Sequence, residues 1–343
     1  MITKLQLEQF TAFKQLSLNF SPGVNIIIGE NGTGKTHVLK ALYTVTAALN
    51  EGKRVSDKIV DVFFPRGKNI GRLVQRINKS SAAIIRVWKK ANKKNENDKL
   101  LRLYFSNHTK DTLKWRNGWK DEKIGKAIYI PVKEMLANAP GFLALYEKYE
   151  LHFEEIYADI LHYANLPIPR GKAEPQRKQL LEKIKKEIQG RVIQKKETFY
   201  LKNKQGELEF TLLAEGMRKL GLLWLLINNG SLYKGSYLFW DEPETNLNPK
   251  LMKMVVGILL ELQRMGVQIF LSTHSYVILK EFDLQAGNKD KILFHSLYRN
   301  QENQQIESAS TDDYLQISPN AIDDTFGSIV DREIEKSMGG LGK

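Results

Sequence analysis

Eight consecutive residues, Gly29-Glu30-Asn31-Gly32-Thr33-Gly34-Lys35-Thr36, combine glycines, a lysine and a hydroxyl at a spacing that suits phosphate chemistry. The glycines let the backbone N–H groups of Asn31 to Lys35 converge on phosphate oxygens. Lys35 is placed to reach the β- and γ-phosphates of a nucleotide, and the Thr36 hydroxyl to ligate Mg²⁺. A second constellation lies far along the chain. Asp241 and Glu242 follow the apolar run Tyr237 to Trp240, and an acid at such a strand end can bind the Mg²⁺ held by Thr36. The adjacent Glu242 can polarise a water for in-line attack on a γ-phosphate. A third run, Val267 to Leu271, delivers Ser272-Thr273-His274-Ser275, where a neutral imidazole at His274 can hydrogen-bond the γ-phosphate or the attacking water. Histidines 37, 108, 152, 162 and 295 lack such a context and read as surface or core residues.

These groups need elements to position them. Val24 to Ile28, interrupted by Asn25, reads as a strand, and His37 to Leu49 as a helix with apolar residues at 38, 39, 41, 42, 45 and 48. Strand, glycine loop and helix is the context a phosphate-binding loop requires, since the helix N-terminus adds about half a positive charge at the same point. Ile2 to Phe10 and Gln15 to Phe20 alternate as a strand pair ahead of it. Phe10 or Phe13 could stack on adenine or fill the core. Ala82 to Trp88, Leu100 to Phe105 and Thr112 to Trp115 read as antiparallel strands joined by polar turns such as Lys89 to Lys99. Trp115-Arg116-Asn117-Gly118-Trp119 reads as a turn whose aromatics either stack on bases among basic residues or cover a core. Lys126 to Val132 is a further apolar strand. Helical patterns are predicted over Val132 to Ala137, Phe142 to Leu161 and Glu174 to Ile188, and no heptad array suggests a coiled-coil arm.

Composition excludes several classes. There is no cysteine, hence no disulfide or Cys-ligated zinc, and no apolar run approaches the ~18 residues of a membrane span, which together suit a cytoplasmic protein. The net charge of +13 is uneven. Residues 51–125 hold 20 Lys/Arg against 8 Asp/Glu, whereas residues 301–335 hold nine acids and a single Arg332. Such asymmetry points to a polyanion or an oppositely charged surface as partner.

Taken in order, these stretches resemble the motifs of non-transporter ABC-type ATPases. Gly29 to Thr36 resembles a Walker A motif, Leu238 to Glu242 a Walker B motif with its catalytic glutamate, and Asn246-Leu247-Asn248-Pro249 a D-loop. His274 matches the switch histidine, and Leu213-Ala214-Glu215-Gly216-Met217-Arg218-Lys219-Leu220 sits where the signature belongs. The group includes the SMC-like repair ATPases, the OLD nucleases and ATPases of prokaryotic antiphage defence. The resemblance implies an α/β P-loop NTPase fold: one ABC-type ATPase head over 1–343, its mixed-sheet lobe built from 1–132 and 199–343, with a small helical subdomain inserted at 133–198. It also implies ATP and Mg²⁺ as cofactors and a head-to-tail dimer, or a higher oligomer, in which Ala214, Gly216 and Arg218 of one copy approach ATP held by Lys35 of another. Two departures stand out. Ala214 and Glu215 replace the usual serine and first glycine of the signature, a variant closer to the defence and OLD-like branch than to transporters. No glutamine follows Tyr129-Ile130-Pro131, where Lys133 and Glu134 stand instead.

Beyond His274 only 69 residues follow, which is short for the Toprim nuclease domain of the OLD enzymes. Asp312-Asp313 and Asp323-Asp324 follow no apolar strand and read as turns or caps. The expectation is therefore an ATPase that controls a separate effector, a nuclease or toxin, in antiphage defence and in contact with DNA. The alternative is a repair or chromosome-maintenance ATPase closing a clamp on duplex DNA. A transporter subunit is disfavoured by the altered signature and the basic insert.

Overall fold

The computed structural model describes residues 1–76, 80–91, 96–120, 123–149, 151–171 and 174–339. The chain opens with β1 (Ile2–Phe10), β2 (Phe13–Asn19) and β3 (Val24–Gly29), then α1 (Lys35–Glu51) and α2 (Val55–Phe63). Next come β4 (Ala82–Lys89), β5 (Lys99–Ser106), β6 (Lys114–Asn117) and β7 (Ala127–Ile130). A helical stretch holds α3 (Phe142–Tyr149), α4 (Glu155–Ala164) and α5 (Pro175–Glu187). It is followed by β8 (Arg191–Lys195), β9 (Thr198–Asn203), β10 (Gly206–Glu209) and α6 (Glu215–Asn228). The last part is β11 (Tyr237–Asp241), α7 (Pro249–Arg264), β12 (Gln268–Ser272), α8 (Tyr276–Gln285), β13 (Ile292–Arg299), β14 (Ile306–Thr311) and α9 (Ala321–Gly339).

Six strands form the main sheet in the order β14-β13-β3-β12-β11-β7, parallel except for β14. Its central strands are buried on both faces, so they read as near-continuous apolar runs. Alternate residues go to different cores. Ile26 and Ile28 of β3, Trp240 of β11 and Leu271 of β12 pack with α6, α7 and α8, while Ile27, Phe239 and Phe270 pack with α1 and the inner face of a five-stranded sheet, β2-β1-β4-β5-β6. Asn25, the polar interruption in β3, is fully buried but satisfied: it accepts from Ser21 N and donates to the carbonyls of Ser21 and Ile269. A small antiparallel sheet, β10-β9-β8, packs beside α6.

Several sequence expectations are settled between their alternatives or corrected here. Phe10 and Phe13 are wholly buried; the Phe13 ring fills the space a side chain at Gly34 would need, with its Cζ 2.5 Å from the ideal Cβ position, so neither ring is free to stack on a base. Val132 to Ala137 is not helical. The Glu134 carboxylate accepts from the amides of Leu136 and Ala137, a local bond that competes with a helix, and only a short 3₁₀ turn at Leu136–Asn138 follows. The pattern from Phe142 to Leu161 is split into α3 and α4. The third strand of the basic segment is Lys114–Asn117, so Trp115 and Arg116 lie in a strand rather than a turn. Trp119 is core, its Nε1 donating to the Lys99 carbonyl. Lys89 is buried, and Lys93 and Lys94 lie outside the described residues. Asp313 caps a 3₁₀ turn, as expected, whereas Asp323 sits within the first turn of α9, its carboxylate accepting from Tyr314 and Asn320.

One buried ion cluster joins the α1–α2 pair to the helical stretch. Lys58 of α2 lies 2.7 Å from Asp159, 3.2 Å from Glu155 and 3.1 Å from Glu51, and the Tyr43 hydroxyl also donates to Asp159. The ammonium occupies the point where these three carboxylates converge. Lys58→Met should lower stability by about 3–5 kcal/mol, because it leaves the buried Asp159 without a cation, whereas Glu51 and Glu155 keep Lys53. Burial already raises the Asp159 carboxyl pKa, so proton uptake should relieve the mutant, and its deficit should shrink between neutral pH and about pH 5. Urea midpoints at the two pH values check both expectations.

Candidate functional site

The parallel strands place their C-terminal ends along one edge of the main sheet, where an open α/β sheet holds its ligands. There the loop between β3 and α1 turns with positive φ at Gly29 (141°), Gly32 (80°) and Gly34 (91°). A Cβ at Gly29 would lie 2.0 Å from the Leu297 carbonyl oxygen of β13, so only glycine lets these two backbones touch. Asn31 and Gly32 are exposed and Thr33 is buried, its hydroxyl donating to the Glu30 carbonyl. Lys35 Nζ donates to the carbonyls of Gly29 (2.7 Å) and Glu30 (2.9 Å).

Asp241 closes the site from β11. One carboxylate oxygen accepts from the Ser272 hydroxyl and from Thr36 Oγ1 at 3.2 Å, the other from the Tyr129 hydroxyl at 3.2 Å. Thr36 and Asp241, 205 residues apart, are thus in direct contact. Hydroxyl and carboxylate oxygens are the ligands a hard divalent cation takes, so this pair fits Mg²⁺. Glu242 has a left-handed backbone (φ 48°), an uncommon conformation for a non-glycine residue that clusters at functional sites. Its N–H reaches the Ser272 carbonyl and its carboxylate accepts from Thr245 Oγ1. His274 Nε2 stands 2.9 Å from Glu242 Oε1. Glu244, which the sequence reading left aside, orients that histidine's backbone: it accepts from His274 N at 2.6 Å and Thr273 Oγ1 at 2.8 Å. Burial raises its pKa.

Ala214 is the N-cap of α6, and Glu215, Gly216 and Arg218 lie in its first turn. Arg218 pairs at 3.4 Å with Glu134, the buried acid of the 3₁₀ turn, rather than with the phosphate loop of its own chain. Lys219 donates to the Thr245 carbonyl and Asn246 to Glu215, so the start of α6 is bound to the loop that follows Glu242.

Sequence reasoning missed a cavity of about 570 Å³ beside the start of α1. Thr11, His37, Arg66, Arg72, Arg76 and Arg299 contribute to its lining. His37 Nδ1 and Thr11 Oγ1 are buried without a partner, and burial with the nearby Lys40 charge pulls the His37 pKa down to about 4. His37 had been set aside as a surface or core residue; its position next to Thr36 was the one available signal. The arginines follow no spacing pattern, and Arg299 comes from another sheet. His295, by contrast, is core, hydrogen-bonded to Ser310.

Comparison with known proteins agrees with this geometry. A family described as "AAA domain, putative AbiEii toxin, Type IV TA system" matches residues 56–280, and a second described as "AAA domain" matches residues 1–99. The DNA replication and repair protein RecF of Bacillus cytotoxicus is 32% identical over 97 residues, 28% of this chain and 26% of that protein. RecF of Halalkalibacterium halodurans is 47% identical over 47 residues, 14% of this chain and 13% of that one. These matches thus span about a quarter or less of the relatives' length. Among solved structures, the SmcHead bound to the C-winged helix domain of ScpA aligns over 92% of this chain and 99% of its own, with TM-score 0.60 and 13% identity. The SMC head domain from Thermotoga maritima aligns over 91% and 99%, with TM-score 0.51 and 13% identity. The fold is that of an SMC head-like P-loop ATPase.

Burial lowers the Lys35 pKa to about 8 even though Glu242, Asp241 and Glu244 act to raise it. Phosphate oxygens beside the ammonium should raise it again. Above pH 8 the nucleotide-free site is increasingly neutral at Lys35, so binding must take up a proton. Nucleotide affinity should therefore fall as pH rises through 8, by at most ~10-fold per unit. Titration calorimetry near pH 9 in buffers of different ionisation enthalpy should show uptake approaching one proton per site, abolished in Lys35→Arg.

Proposed function

The chain belongs to the AAA-domain family that matches residues 56–280, and from that premise we propose that it binds and hydrolyses ATP and uses the cycle to control a separate effector. The observation that carries this reading is the Glu242–His274 pair, 2.9 Å apart, standing beside the Thr36–Asp241 contact at the end of the phosphate loop. In the proposed reaction Glu242 accepts a proton from water as the water oxygen forms its bond to the γ-phosphorus. The bond from that phosphorus to the β–γ bridging oxygen breaks, and ADP and phosphate leave. His274 orients Glu242 and the water. Lys35 and the backbone of Asn31 to Gly34 neutralise and hold the phosphates, while the Arg-lined cavity next to His37 receives base and ribose. Thr36 and Asp241 would hold Mg²⁺, which would supply charge neutralisation at the phosphates.

Two copies meet head to tail in this reading, with Ala214, Gly216 and Arg218 of one completing the ATP site of the other, and residues 133–198 act as an inserted helical subdomain. The family's description names a "putative AbiEii toxin, Type IV TA system"; antiphage defence as the setting, and a separate nuclease or toxin as the effector, rest on the motif resemblance. The basic segment 51–125 is the part offered to nucleic acid. A second reading, a repair or chromosome-maintenance clamp on duplex DNA, is favoured by the RecF identity over the shared segment.

Glu242→Gln should retain ATP binding but hydrolyse at least ~100-fold more slowly, the usual scale for loss of a general base. Lys35→Ala should weaken binding itself. Undiminished turnover in Glu242→Gln would remove the assignment. Light scattering of that variant should show a dimer with ATP and a smaller species without it, and Arg218→Ala should impair the ATP-dependent dimer while leaving nucleotide binding to the single chain intact. An ATP-insensitive mass refutes the trans arrangement.

A further inference from the structure

The five-stranded sheet buries one face against α1 and α2, and among the described residues the side chains of its other face are half-buried on β1 and β4 and exposed along much of β5 and β6. On that other face the strand register sets Arg86, Arg102 and Arg116 directly opposite one another on β4, β5 and β6. The row on one side of it runs Glu8, Ile84, Tyr104 and Lys114, and the row on the other side Lys4, Trp88 and Leu100. Among the described residues of these three rows, five cations therefore stand with a single acid. Glu8 pairs with Arg86, and among the described residues no carboxylate pairs with Arg102, Arg116 or Lys114. Like charges directly opposite across strands destabilise a sheet, and among the described residues only the Glu8–Arg86 pair offsets that cost. Aromatic surface lies among the charges: Tyr104 is 39% exposed, and Trp88 is half-buried with Lys4 Nζ 5.4 Å from its ring centroid.

We propose that this sheet face binds single-stranded nucleic acid, the guanidinium row neutralising backbone phosphates while Tyr104 and Trp88 stack on unpaired bases. Neighbouring strands lie about 4.8 Å apart, so the three arginines span about 10 Å, room for two backbone phosphates of an extended strand. A flat face carries no helix or ribbon to enter a duplex groove, and duplex recognition does not call for exposed rings. Aromatics among cations on a sheet are the chemistry of unpaired bases. The Lys-rich turn from Lys89 to Lys99 is not required, and Lys89 itself is buried. The inference deepens the proposed contact with nucleic acid by assigning its face and form, and it needs neither ATP nor an effector.

The test is fluorescence anisotropy on the full chain without nucleotide, using labelled oligo-dT and oligo-U of about 20 residues and a duplex of equal length, over the salt range where phosphate contacts are lost. Wild type should bind a single strand more tightly than the duplex, and the dT and U arms tell DNA from RNA. Arg102→Glu/Arg116→Glu should weaken binding at least ~10-fold and flatten the salt dependence by about 1.4 in log–log slope, two contacts at ~0.7 each. Tyr104→Ala should weaken it about fivefold or more, the lower end of a base–aromatic stack, at unchanged slope. Lys183→Glu/Lys186→Glu on the exposed face of α5 makes the same charge change elsewhere and should have little effect, which controls for net charge. All these positions are on the surface, and unchanged thermal midpoints verify folding. Glu242→Gln should bind the oligonucleotide as wild type does, so failure of the hydrolysis assignment leaves this result readable. Absence of single-strand binding, insensitivity to Arg102→Glu/Arg116→Glu, or tighter duplex binding unaffected by Tyr104→Ala overturns the proposal.

Discussion

The carboxylate of Asp241 is the tie on which the phosphate site depends. It takes hydroxyl donors from three other elements: Thr36 of α1, Ser272 of β12 and Tyr129 of β7. Each hydrogen bond to an ionised group contributes more than a neutral one and loses little to solvent in a buried place. Together they fix the end of β11 relative to the start of α1. The backbone then enters the left-handed turn at Glu242, and the position of that side chain follows from where Asp241 is held.

The phosphate loop also requires close approach on both sides. Phe13 from the β1–β2 hairpin lies against Gly34, and the carbonyl of Leu297 in β13 lies against Gly29. These contacts explain why the five-stranded sheet and the last strands of the chain are parts of the site although neither donates a motif. The 69 residues after His274 do not stand apart: β13 pairs directly with β3 and β14 with β13, so much of that stretch completes the sheet from which the loop emerges.

Much of the site was legible because its chemistry sits at the ends of apolar runs. Val24 to Ile28, Tyr237 to Trp240 and Val267 to Leu271 are central parallel strands, buried on both faces, and such strands announce themselves by composition alone. The elements that were misread, left open or missed depend on bonds between side chain and backbone or on distant partners. Glu134 captures the amides of Leu136 and Ala137 and stops a helix that periodicity favoured. Trp119 fits a base-stacking or a core role equally until the carbonyl of Lys99 is seen to accept from its buried indole. The cavity next to His37 draws arginines from 66 to 299, and no local pattern could have joined them. The charge of the basic segment was visible as a sum; only strand register turned it into a row on one face.

The contacts at the start of α6 bear on how two sites could act together. Arg218 is held by Glu134, Lys219 by the Thr245 carbonyl, and Glu215 by Asn246. Thr245 in turn donates through Oγ1 to Glu242. In the proposed head-to-tail dimer the first turn of α6 meets the partner's nucleotide, while Glu242 serves the nucleotide of its own chain. A ligand that draws Arg218 away from Glu134 removes the ion pair of a buried acid, and the cost of that buried charge opposes the movement. The same displacement pulls on the Lys219 and Glu215 bonds and so on the loop carrying Thr245. Contact with one nucleotide and alignment of the attacking water at the other are then linked through side chains with alternative partners, which is the physical requirement for coupling between sites. Glu215, which stands where the motif resemblance would place a small residue, supplies the acceptor that binds Asn246.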